Sequence, residues 1–174
     1  MEMNINRQIL SAPLLPKALE TGDEGSAVLM ILNNHLNPVK PGSDFKLPTF
    51  NLSQAILNAL HSARRTNRLI QGLEETEKKL DAERAGIVQA DNKAGAARNE
   101  RISRLAVIAN DGSDRFYRQV KKMVKNNYPR VLALCIDVSS YELGERLYGP
   151  EKRALFLLLN HKDAVINLLK SLII

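Results

Sequence analysis

Aromatic residues and cysteine are scarce in this chain. Its 174 residues include four Phe, four Tyr, one Cys and no Trp. A single cysteine excludes an internal disulfide, and so few aromatic side chains leave Leu, Ile, Val and Ala to form the core. A core of this kind favours helices packed on helices. The length predicts one domain, or one domain with an appended arm.

Long hydrophobic runs are also lacking. The longest nearly uncharged apolar runs, 27–36 and 154–159, are shorter than the ~18 residues that cross a membrane. Residues 1–7 lack the charged leader that precedes the apolar stretch of a secretory signal. Cys135 lies in the apolar run 131–136 and is predicted to be a reduced, buried core residue. We therefore expect a soluble cytoplasmic protein with no membrane partner.

Recognisable catalytic and cofactor motifs are absent. The nine glycines are scattered and form no phosphate-binding loop. The three histidines, His35, His61 and His161, lie far apart and lack the spacing of a zinc site. Cys135 with His161 is a conceivable nucleophile and base, but a thiol in an apolar run is a poor nucleophile. We expect no catalytic residues, no metal, no cofactor and no enzymatic activity.

Proline separates the chain into regions. Five of the seven prolines lie in the first 48 residues, where they exclude long regular elements. Residues 1–50 are therefore predicted to be a Pro-rich N-terminal arm with one short helix, over 27–36, that ends before Pro38. No proline occurs between Ser53 and Asn110.

Residues 51–110 are predicted to form one long helix or a helical hairpin. Ser53 precedes apolar residues spaced three and four apart, which is typical of a helix start. The apolar stripe is narrow between residues 74 and 101, so this middle part is expected to project into solvent. A turn at 91–95 would convert the long helix into a hairpin, and both alternatives remain open.

Residues 111–174 are predicted to form a compact cluster of helices, continuous with 51–110 in one domain. Each segment has its own start signal, and the segments are 114–128, 131–136, 141–147, 151–159 and 164–172. The run 131–138 would also suit a buried strand, but helix is preferred because no second β-rich run is evident to pair with it. The predicted fold class is all-α.

Positive charge is concentrated in the last two thirds of the chain. The net charge is +6, and residues 1–55 carry four Lys or Arg against five Asp or Glu. Residues 56–110 carry ten against seven, and residues 111–174 carry eleven against seven. A basic surplus of this kind suggests an acidic partner or nucleic acid, although it also serves simple solubility.

The helix predicted from Asp114 carries the clearest basic surface. At ~100° per residue its cations fall on the side opposite Val120 and Val124, and no acidic residue lies between Arg115 and Asp137. The candidate nucleic-acid-binding residues of this helix are Arg115, Arg118, Lys122 and Lys125, with Lys121 at the edge.

Two further basic clusters lie in the predicted long helix. Arg64, Arg65 and Arg68 form the second cluster, and Arg98, Arg101 and Arg104 form the third. A hairpin would bring the two clusters to similar heights and create a contiguous cationic surface. The alternative is that these arginines pair with the acidic residues of the same region.

These patterns predict a non-enzymatic assembly subunit that binds the nucleic-acid backbone and packs against partner protein in a homo- or hetero-oligomer. Only Tyr117 and Tyr128 remain as candidates for base stacking, so binding should depend little on sequence. The alternative is a protein-interaction adaptor or chaperone that meets an acidic partner without nucleic acid.

Overall fold

The structure, a computed structural model, describes residues 14–20, 22–94 and 101–174. In these ranges the chain forms helices around one six-stranded mixed sheet. The predicted all-α fold, with its helical bundle, is therefore wrong. The protein is an α/β structure, and strands from the arm, the middle region and the C-terminal region all enter the same sheet.

The sheet has a parallel centre and antiparallel edges. Its strands are β1 (Leu36–Pro38), β2 (Lys46–Phe50), β3 (Leu69–Gln71), β4 (Arg104–Ile108), β5 (Val131–Ile136) and β6 (Phe156–Leu159). The spatial order is β1-β2-β5-β4-β6-β3. Strands β2, β5 and β4 run parallel, β6 is antiparallel to both of its neighbours, and β1 is antiparallel to β2.

Seven helices accompany these strands in the described ranges. They are α1 (Lys17–Glu20), α2 (Asp23–Asn34), α3 (Gln54–Arg65), α4 (Leu73–Ala94), α5 (Asp114–Asn126), α6 (Ser140–Tyr148) and α7 (Lys162–Ser171). The hydroxyls of Ser53, Ser113 and Ser139 accept the N–H three residues ahead and so begin α3, α5 and α6. These helix starts were predicted and are confirmed.

The core lies on both faces of the sheet. Every residue of β5 and β6 is buried, and so are four of the five residues of β4. Helix α4 contacts α5, where Arg84 donates to the carbonyl of Asn126 at 3.1 Å, while α3 packs with α6 and α7. The central strands are buried on both faces of the sheet, and the helices form two separate groups. One helix layer therefore covers each face of the sheet.

Three segments predicted to be helical are strands or contain strands. The run 131–136 is β5, the segment 151–159 contains β6, and 53–110 is divided into α3, β3, α4 and β4. Strands buried on both faces have no alternation of polar and apolar residues, so periodicity does not separate them from short helices. The strands that pair with β5 are β4 and β2, whose residues are predicted from the sequence to belong to the long helix and to the arm.

The predicted arm contributes two strands to the sheet. Pro48 is tolerated inside β2 because pairing with β5 begins at Thr49. Between β1 and β2 the N–H of Ser43 donates to Lys40 at 3.0 Å, and Gly42 has φ +80°. Pro41 followed by Gly42 in that conformation is typical of a type II turn.

The second half of α4 extends beyond the core. Thr76 and Leu80 are buried, whereas residues 84–89 are exposed except for the half-buried Ile87. Helix α4 continues through Ala94, so residues 91–94 are helical where a turn was predicted, and Gly95 lies outside the described residues. Among the described helices, none is both long enough and apolar enough to span a membrane.

Candidate nucleic-acid interface

Helix α5 presents opposite faces to the core and to solvent. Tyr117, Val120 and Val124 are buried beneath it. The hydroxyl of Tyr117 donates to the carbonyl of Ala109 at 3.0 Å and accepts the N–H of Gly112 at 3.1 Å. These contacts hold the helix in one rotation about its axis, because turning it would expose the apolar side chains and break both hydrogen bonds.

The outward side of α5 carries four cations, Arg115, Arg118, Lys122 and Lys125, which we call the basic face. All four residues are exposed. Within the described part of the chain, no carboxylate oxygen lies within 4.0 Å of any of their charged nitrogens. At ~1.5 Å per residue the basic face extends about 15 Å along the helix.

Lys121 lies at the edge of the basic face and is paired. Its ammonium is 3.8 Å from Asp44, in the turn between β1 and β2. The same turn supplies Lys40, whose ammonium is 3.0 Å from Asp114 at the start of α5. Lys40 was not among the predicted site residues, because only the pairing of β2 with β5 brings this turn beside a helix 70 residues later.

The second predicted cluster lies with the opposite helix group. Arg64 donates to the carbonyl of Leu147 at 3.1 Å, and its guanidinium is 4.9 Å from the centre of the Tyr148 ring. Arg68 lies 3.9 Å from Asp163. Arg65 is exposed. Arg64 thus connects α3 to α6, and Arg68 connects the segment after α3 to α7.

The third predicted cluster is largely engaged in ion pairs. Arg101 lies 3.0 Å from Glu20, and Arg104 lies 3.2 Å from Glu83. Arg98 lies outside the described residues. The prediction of a contiguous cationic surface formed by a helical hairpin is wrong, because residues 53–110 do not form a helical hairpin.

Glu83 joins two arginines beneath α4. Its carboxylate accepts from Arg104 at 3.2 Å and from Arg130 at 2.9 Å, and all three side chains are largely buried. The cluster links α4 to the residues that begin β4 and precede β5. These two ion pairs are internal and are not part of the exposed basic face.

The two tyrosines predicted as stacking candidates differ in exposure. Tyr117 is only 3% exposed, and burial raises the pKa of its hydroxyl above the usual value. The prediction that Tyr117 remains available for base stacking is therefore wrong. Tyr128 is half-buried, and burial raises the pKa of its hydroxyl as well. Stacking on Tyr117 is thus excluded, whereas Tyr128 retains part of its exposed surface.

Polar side chains also meet at the carboxyl ends of β4 and β5, a common ligand position in α/β sheets. No motif in the sequence marks this cluster. Asp111 accepts from the N–H and the hydroxyl of Ser140, and Arg153 donates to the same hydroxyl at 2.7 Å. Asn110 donates to Asp137 at 3.0 Å. These hydrogen bonds connect the loops after β4 and β5 with the start of α6 and the segment before β6.

Cys135 and His161 are not arranged as a nucleophile and its base. Cys135 is buried as predicted, and burial, with a smaller effect from Asp137, raises the pKa of its thiol to about 12. Cys135 lies near the carboxyl end of β5, whereas His161 follows β6, which runs antiparallel and ends at the opposite edge of the sheet. In the described ranges, no three His, Cys, Asp or Glu side chains are placed to hold a metal ion.

Comparisons with known proteins add no assignment. No protein-family model matches the sequence, and no curated protein matches it. Function is therefore inferred from the geometry of α5 and its surroundings.

Proposed function

We propose that this protein binds the phosphate backbone of nucleic acid through the basic face of α5, as a non-enzymatic binding protein. The observation that carries the proposal is the absence of acidic partners. Arg115, Arg118, Lys122 and Lys125 are exposed on one side of a helix whose other side is held in the core, and no described carboxylate neutralises them.

Several neighbouring cations on one helix face favour the binding of a polyanion. Each phosphate contact releases condensed counterions, and the gain in free energy accumulates over neighbouring contacts. The basic face spans about 15 Å, which corresponds to four or five phosphates at ~3.4 Å per nucleotide along one strand. Cations already paired within the protein, such as Arg104 with Glu83, would have to break a contact first.

The chemistry of this surface favours binding without sequence preference. Lysine and arginine contacts to phosphate position a strand but do not distinguish bases. Of the two aromatic residues on α5, Tyr117 is buried and cannot stack on a base, and Phe116 is half-buried. Recognition should therefore depend on charge density and spacing. An acidic protein surface would engage the same four cations.

The test is fluorescence anisotropy with a labelled 20-nucleotide single strand and a 20-base-pair duplex, both of mixed sequence, between 50 and 200 mM salt. Four contacts predict a log-log salt slope of about −2.8 for the single strand and −3.6 for the duplex. Affinity should fall about 50- to 150-fold over that range. The double variant Arg118→Glu with Lys122→Glu should bind too weakly to measure at 100 mM salt.

The matched control is Lys17→Glu with Lys162→Glu. This pair makes the same change in net charge, but it lies at the first residues of α1 and α7, on the opposite helix group. Glutamate is well tolerated at a helix start, so both control sites should fold. Equal loss of binding in the two double variants would show only a net-charge effect and would overturn the proposal, as would no binding by the unmodified protein.

A further inference from the structure

We propose that the nucleic-acid surface continues from α5 across a groove to Lys40, where a backbone phosphate displaces the carboxylates that now hold the two lysines. This inference rests on the proposed function and extends it to a second element. The groove lies between α5 and the 39–45 loop that joins β1 to β2. Its volume is about 460 Å³, and the cations along it are Lys40, Arg118 and Lys121.

The 39–45 loop is rigid enough to position Lys40. Its two ends are joined by a hydrogen bond from the N–H of Val39 to the carbonyl of Phe45 at 3.0 Å, and both side chains are buried. Within the loop, Ser43 closes the turn from Lys40 and accepts the N–H of Phe45 at 3.1 Å. The ammonium of Lys40 also lies 5.7 Å from the centre of the Tyr117 ring.

Two ion pairs connect the loop and the helix in opposite senses. Lys40 on the loop meets Asp114 on α5 at 3.0 Å, and Asp44 on the loop meets Lys121 on α5 at 3.8 Å. Asp114 and Lys121 lie two turns apart on the helix, and Arg118 lies between them on the same side. Arg118, which pairs with no carboxylate of the described residues, is therefore next to both lysines, so one phosphate in the groove is within reach of three cations.

The exchange of partner is favourable because both acids are exposed. The side chains of Asp114 and Asp44 are 77% and 88% exposed, and ion pairs of this kind contribute little stability. A released carboxylate is rehydrated, while the lysine gains a charge-assisted contact to a phosphate next to Arg118. The two acids thus compete with nucleic acid for the lysines and lower the affinity of the groove.

The test compares Asp44→Asn with Glu24→Gln by anisotropy on the same labelled 20-nucleotide strand. Glu24 pairs with Lys170 at 3.5 Å, both side chains are about half exposed, and the pair joins α2 to α7 away from α5. Each variant removes one negative charge and so raises the net charge by one. Asp44→Asn should bind about 2- to 5-fold more tightly at 0.1 M salt, because the exposed carboxylate that competes for Lys121 is removed, while Glu24→Gln should bind as the unmodified protein does.

Lys40→Gln provides the reciprocal measurement, since it removes the cation of the loop. It should weaken binding about 5-fold at 0.1 M salt and make the slope shallower by about 0.7. If the unmodified protein binds and Arg118→Glu with Lys122→Glu abolishes binding, but Asp44→Asn matches Glu24→Gln or Lys40→Gln has no effect, the groove is not part of the surface. That result overturns this inference and leaves the proposed function intact. No binding by the unmodified protein overturns both.

Discussion

The carboxylate of Asp111 accepts two hydrogen bonds from Ser140, one from the backbone N–H and one from the hydroxyl, each 2.9 Å long. Asp111 lies in the loop after β4, and Ser140 is the first residue of α6. The pair therefore fixes the start of one helix to the loop that leads into another. An acidic side chain at this position also interacts favourably with the N-terminal end of the α6 dipole.

Replacing Asp111 should destabilise the fold. Asp111→Ala leaves the N–H and hydroxyl of Ser140 without their acceptor, and Ser140 is fully buried. A buried polar group left without its partner costs about 1–3 kcal/mol, so we expect a loss of this size in the free energy of unfolding, measured by urea denaturation. Asp137→Ala is the control, since its carboxylate accepts from the side chain of Asn110 alone. Equal losses in the two variants would contradict this account.

The ion cluster under α4 should contribute more. Glu83→Ala leaves Arg104 and Arg130 largely buried without their shared counter-charge. Removal of one member of a buried ion pair costs about 3–5 kcal/mol, so urea denaturation should detect a large loss of stability.

Asp81→Ala is the matched control for Glu83→Ala. Asp81 lies on the same helix and pairs with Arg84 at 3.0 Å, but both side chains are about half exposed or more. Exposed pairs contribute at most about 1 kcal/mol. The prediction fails if the two variants lose similar stability.

Cys135 should give the protein a characteristic loss of stability in alkaline solution. The unfolded thiol titrates near pH 9, whereas burial raises the pKa of the native thiol to about 12. Between these values the unfolded state holds fewer protons than the native state, so the free energy of unfolding falls as pH rises, by about 1.4 kcal/mol per pH unit. The contribution is complete below pH 9 and is lost by about pH 12.

Urea denaturation of the unmodified protein and of Cys135→Ala at pH 8 and pH 10.5 measures this effect. The stability advantage of the unmodified protein should shrink by about 2 kcal/mol at the higher pH. Other groups that titrate in this range, such as Tyr117, are common to both proteins. An unchanged difference would show that the thiol is not held protonated by the fold.

The ends of the basic face should contribute individually to binding. Arg115→Gln and Lys125→Gln each remove one cation without reversing charge, and they lie about 15 Å apart on α5. Each should make the salt slope shallower by about 0.7–0.9 and weaken binding about 5- to 8-fold at 0.1 M salt. Lys162→Gln on α7 should change neither quantity. Anisotropy titrations at three salt concentrations measure both effects.

Local signals in the sequence determined where several helices begin and which side of α5 faces water. Ser53, Ser113 and Ser139 each cap a helix through a hydrogen bond to a residue only three positions away, so the signal and its effect lie in the same short segment. The amphipathic spacing of α5 likewise depends on consecutive residues, and its cations are exposed as the periodicity predicted.

The sheet could not be predicted in the same way, because strand pairing joins residues far apart in the chain. Cys135 pairs with both Thr49 and Ile108, and β4 pairs with β6 through Val107 and Leu157. The strands are buried on both faces, so their sequences lack the alternation that distinguishes a strand from a short buried helix.

Tertiary structure also decided which cations pair with acids. Arg104 and Arg118 are the same residue type, yet one lies against Glu83 and the other is exposed beside the groove. An ion pair depends on distances of a few ångströms between segments that only the folded sheet brings together. The residue types along α5 determined that a basic face would exist, and the pairing of β2 with β5 placed Lys40 beside it.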